Sequence, residues 1–61
     1  MKIRSINPGR VTFDDKLGGW VYSYVINGFW VRWTEDLKPT AKAAKQAMRE
    51  KVAQERKRHA V

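Results

Sequence analysis

A chain of 61 residues holds one small domain, because at this length folding buries only about 60% of the surface of the unfolded chain. It contains no cysteine, which excludes disulfides and thiolate metal sites, so packing of its three Trp, two Tyr and two Phe must supply the stability. Thirteen Lys and Arg against six Asp and Glu leave a net charge of +7, a balance that favours a polyanionic partner.

The N-terminal segment, residues 1–9, reads as irregular or edge structure, with Asn7-Pro8-Gly9 as a turn signal. Met1-Lys2-Ile3-Arg4 lacks the apolar core of a signal peptide, and no apolar run approaches the roughly 20 residues of a membrane span. The expectation is an intracellular, cytoplasmic protein. Arg10-Val11-Thr12-Phe13 is a short strand, broken by Asp14-Asp15-Lys16-Leu17-Gly18-Gly19.

Two β-prone runs follow, Trp20 to Ile26 and Phe29 to Trp33, separated only by Asn27-Gly28. Asn-Gly supplies positive φ at both central positions of a type I′ turn, so the runs form a tight hairpin. That turn sets the register: Ile26 faces Phe29, Val25 faces Trp30, Tyr24 faces Val31, Ser23 faces Arg32 and Tyr22 faces Trp33. The period of two puts Trp20, Tyr22, Tyr24, Ile26, Phe29, Val31 and Trp33 on one face, expected to be the core face. Val21, Ser23, Val25, Trp30 and Arg32 take the other.

Thr34 to Pro39 reads as a polar connection, and Thr40 as the N-cap of a helix free of Gly and Pro. Ala41, Ala44, Met48, Val52 and Gln54 or Glu55 recur at helical spacing, with Ala47 and Lys51 beside them. The small residues of this stripe complement the bulky rings of the hairpin. The predicted fold is α+β: a small three-stranded antiparallel β-sheet, about 10–33, packed against one C-terminal α-helix, about 40–58. From Lys42 onward the chain has seven basic residues and two acidic ones, and the basic last turns are expected to project past the core.

Gly19-Trp20-Val21-Tyr22-Ser23-Tyr24, the Asn27-Gly28 turn and Thr40-Ala41-Lys42-Ala43-Ala44-Lys45-Gln46-Ala47 together resemble the AP2-like and arm-type DNA-binding domains of phage and transposon integrases. The resemblance spans about residues 10–53. It implies a three-stranded antiparallel sheet whose free face enters the major groove of duplex DNA. Carried over by position, it implies that Arg10, Thr12, Ser23, Trp30 and Arg32 approach the DNA. The sequence departs from the family in having Arg32 as the hairpin's single cation.

Arginine can pair bidentately with guanine, and Ser or Thr can reach phosphates or base edges. On the helix, Lys51, Arg56, Lys57 and Arg58 are candidates for phosphate contact, which adds affinity without sequence choice. Each candidate has a plainer reading: Trp30 and the valines packing beneath Ile3 or Ile6, and Arg56 to Arg58 forming a solvated tail. Stacking of single-stranded bases on Trp30 is a further possibility. His59 is the sole histidine, the paired acids Asp14-Asp15 and Glu35-Asp36 suit turns, and no catalytic set or metal-spaced cluster is present.

The expectation is therefore a non-enzymatic chain with no cofactor and no small-molecule substrate. Its leading partner is duplex DNA, bound as a phage or mobile-element accessory or regulatory factor would bind it. The competing expectation is a protein-interaction module that docks on a host protein, or on a second copy, by its Trp30–Val25 surface.

Overall fold

The structure, a computed structural model, describes residues 2–60; Met1, the first residue of the leader reading, lies outside them. Three strands, β1 (Ile6–Asp14), β2 (Gly19–Ile26) and β3 (Phe29–Lys38), precede one helix, α1 (Ala41–Arg58). The sheet is antiparallel throughout, in the order β1-β2-β3. The α+β architecture read from the sequence is the one observed. Among the described residues no helix is long and apolar enough to cross a membrane.

The hairpin has the expected register, from Ile26 opposite Phe29 to Tyr22 opposite Trp33. Asn27 (φ 51°) and Gly28 (φ 83°) both occupy the left-handed region, as the turn requires. Tyr22 and Tyr24 point from β2 into the core and meet Met48 and Val52 of α1. Thr40 caps the helix, its hydroxyl oxygen accepting from the Ala43 N–H at 3.1 Å. Ala44, Met48, Val52 and Glu55 are the buried helix positions, whereas Ala41 is exposed.

The sheet is longer than the sequence suggests at both ends. Asn7-Pro8-Gly9 is not a turn: it lies inside β1, where the register shifts between Pro8 and Val11. Gly9 and Arg10 together oppose Ser23, a β-bulge on an edge strand, and Pro8 is tolerated there because an edge has N–H positions that need no partner. Thr34 to Lys38 is not a connection but the end of β3, with a second irregularity between the Tyr22–Trp33 and Trp20–Lys38 pairs.

Three details of the core differ from the periodic reading. Ile6 of β1 is 1% exposed and sits in the helix-side core, with Ile3 packed against it. Phe29, assigned to the inner face, is 69% exposed at the hairpin tip. Val21, assigned to the outer face, is fully buried there, opposite Thr12 and beside the irregular stretch of β3.

The helix end also departs from expectation. Rather than projecting, Arg56 reaches back to β1, donating from Nε to the Ile6 carbonyl at 2.7 Å and from a terminal nitrogen to Asn7 Oδ1 at 3.2 Å. Glu55 is buried beside it and gathers Lys51 (3.2 Å), His59 (3.2 Å) and Arg58 (3.9 Å). A polar last turn can thus cover apolar β1 residues because each of its buried groups has a partner.

Candidate nucleic-acid interface

The bulge decides how the outer sheet face is built. Thr12 pairs with Val21, so it shares the side of β2 that carries Ser23 and Val25. Gly9 lies beneath the indole of Trp30: a Cβ there would fall 2.3 Å from the Ser23 carbonyl oxygen and 2.7 Å from Trp30 Cζ3. The Arg10 guanidinium stands over the same ring, 4.9 Å from its centroid. Trp30 remains 56% exposed. Ile3 and Ile6 belong to the opposite core, so they do not cover this face.

Arg32 is placed differently. Its guanidinium forms an ion pair with Asp14, linking β3 to β1 across β2. The Leu17 N–H, donating to Asp14 Oδ1 at 3.0 Å, and then the Arg32 charge hold the Asp14 carboxyl below its ordinary range. Of the five sheet candidates, Arg10, Ser23 and Trp30 therefore meet around Gly9. Thr12 is exposed beside them, and Arg32 is engaged with a carboxylate.

The helix divides its charges between two flanks. Toward β3, Glu50 joins Asp36, Lys38, Lys51, Tyr22 and Trp33 in lining a mixed-charge cleft of about 330 Å³. Lys51 lies over the Trp33 ring at 4.1 Å and pairs with Glu55, so its ammonium is held in place from two sides. Hydrogen bonding from Lys51 and the surrounding cations hold the Glu55 carboxyl below its ordinary range.

Toward β1 the flank is single-signed. Arg49 and Arg56 line a small cleft of about 170 Å³ with Pro8, Val52 and Ala53. Lys42 and Lys45 continue the row upstream at three- and four-residue spacing, and all four cations are exposed. None of the four makes an ion pair among the described residues, whereas Asp14, Asp36 and Glu55 are each taken up elsewhere. Lys42, Lys45 and Arg49 were visible in the sequence as charge but not as a site. Their spacing was the available signal, and it became specific only once Arg56 was seen to dock on β1. Lys57 and Arg58 are exposed on the last turn.

A third basic feature sits at the hairpin tip. Asn27 Oδ1 accepts from the Arg4 and Ser5 N–H groups at 2.7 and 3.1 Å, and its Nδ2 donates to the Lys2 carbonyl at 2.9 Å. This holds Lys2 and Arg4 beside Phe29 around a shallow cleft of about 550 Å³. The chain matches no protein-family model, no curated protein and no solved structure.

Proposed function

We propose that this chain binds duplex DNA, with the β1 flank as its main phosphate-contacting surface and the open sheet face beside it. One observation carries this reading. On one flank of α1, Lys42, Lys45, Arg49 and Arg56 form a row free of carboxylates, whereas the other flank carries both signs. Arg10, over Trp30 on the outer face of the sheet, adds a cation to that neighbouring surface. Such a row suits a phosphate backbone, because each neutralised phosphate releases condensed counterions. The likeness to integrase DNA-binding domains supports the same partner and suggests an accessory or regulatory role in a phage or mobile element.

The test is a gel-shift titration with mixed-sequence duplex at about 50 mM and about 200 mM salt. Affinity should fall by tenfold or more over that range, and Lys45→Glu with Arg49→Glu should weaken binding roughly tenfold at the lower salt. Lys38→Gln, on the mixed-charge flank, should change it less than about twofold. No shift at the lower salt would refute DNA binding. Docking on a protein through Trp30 and Val25 would then be the reading to pursue, and it should respond weakly to salt.

A further inference from the structure

We propose that Trp30, seated on Gly9 and capped by Arg10, is a stacking platform for an unpaired nucleobase; this rests on the DNA reading above and extends it to a base-recognition site. The other two tryptophans are half-buried. Trp33 lies under Lys51, and Trp20 meets Phe13 edge-on, with centroids 5.6 Å apart at 72°. Trp30 alone combines wide exposure with a fixed orientation, since its inner side rests on backbone where even a methyl group would not fit. A ring fixed in advance has little conformational freedom left to lose when a ligand stacks on it.

The groups around the ring select the ligand. Arg10 makes no ion pair among the described residues, so its planar guanidinium can stack on a base or turn to the adjoining phosphate. Around Gly9, Val21 is buried and Ser23 and Val25 are half-buried, so Trp30 is the one widely exposed apolar side chain of this cluster. One exposed ring is a much smaller feature than the roughly 800 Å² per partner that a stable protein interface buries. It suits one flat, apolar-faced group attached to an anion. In a matched duplex the faces of the bases are already stacked, so the ligand is a base that is unpaired, either in a single strand or extruded from a helix.

The test measures fluorescence anisotropy and tryptophan quenching at low salt with three DNAs. They are an oligothymidylate of about 12 nucleotides, a matched duplex of that length, and the same duplex carrying one bulged base. Trp30→Ala should weaken the single strand or the bulged duplex roughly tenfold and abolish the quench, a loss several times larger than any it causes for the matched duplex. Trp30→Phe should restore much of the loss, and Arg10→Gln should remove part of it. Circular dichroism of each variant checks that the fold is retained, as expected for an exposed ring. Tighter binding of the oligothymidylate identifies a single strand as the source of the base, and tighter binding of the bulged duplex identifies an extruded one. Equal, Trp30-independent affinity for all three DNAs would overturn the platform and leave DNA binding standing. Failure of all three to bind would instead overturn the DNA reading on which it rests.

Discussion

Asn27 does two jobs with one side chain. Its backbone takes the left-handed conformation that the hairpin turn needs, and its amide holds residues 2–5 through three hydrogen bonds. The turn was legible in the sequence, because Asn-Gly between two β-prone runs is a local signal. The clamp was not, since its partners lie 22 to 25 residues away and are backbone atoms, which every sequence possesses. The two roles can be separated. Asn27→Gly should preserve the turn, and with it the backbone bond from the residue-27 N–H to the Ser5 carbonyl (3.0 Å), yet loosen residues 2–4, costing about 1–2 kcal/mol as the seat of Ile3 on the core weakens. Asn27→Asp keeps the acceptor for Arg4 and Ser5 but loses the donor to Lys2, and should cost less. Urea midpoints together with amide exchange at Arg4 and Ser5 check both; unchanged protection in Asn27→Gly would rule out the clamp.

Strand β1 shows how an element can be misread from correct local chemistry. Asn-Pro-Gly is a turn signal in isolation, yet here the glycine serves a close approach and not a reversal of the chain. Backbone contacts cannot yield cheaply, so Gly9→Ala should destabilise the protein by about 2 kcal/mol and lower the thermal midpoint by roughly 8–16 °C for a domain of this size. Calorimetry measures this, and a change below about 2 °C would mean that Trp30 does not rest where it is described. Hairpin, cap and helix stripe were all legible because each depends on neighbours in sequence. The docking of Arg56 was not, because its main partner is the Ile6 carbonyl, a group carrying no sequence signal. The outer face was half legible: register fixed Ser23, Trp30 and Arg32, but only the bulge placed Arg10 over the ring.

At the scale of the whole molecule, 34 × 18 × 15 Å, the core is one layer of side chains thick, and two of its main occupants are tyrosines. Burial, followed by the nearby Asp36 carboxylate and Tyr24, pushes the Tyr22 phenol up from 10.0 to about 12. Tyr24 is raised too, chiefly by burial, with the Lys51 charge opposing the shift. A phenol whose folded pKa is raised stabilises the fold fully below its unfolded pKa. That contribution is lost as pH climbs from about 10 toward 12, because the unfolded chain releases the proton first. For Tyr22 the loss is on the order of 2 kcal/mol, a large part of the stability of so small a domain. At the acid end the sign is reversed. Asp14 and Glu55 are depressed, so their contribution is present above the ordinary carboxylate range and vanishes as pH falls through their folded values. Urea midpoints at about pH 9 and about pH 11 should therefore drop steeply for the native chain. The comparison with Tyr22→Phe, which keeps the ring and every other charged group, isolates the phenol. A native chain whose midpoint falls no more than that of Tyr22→Phe would show that the hydroxyl is solvated and that the core is looser than its packing implies.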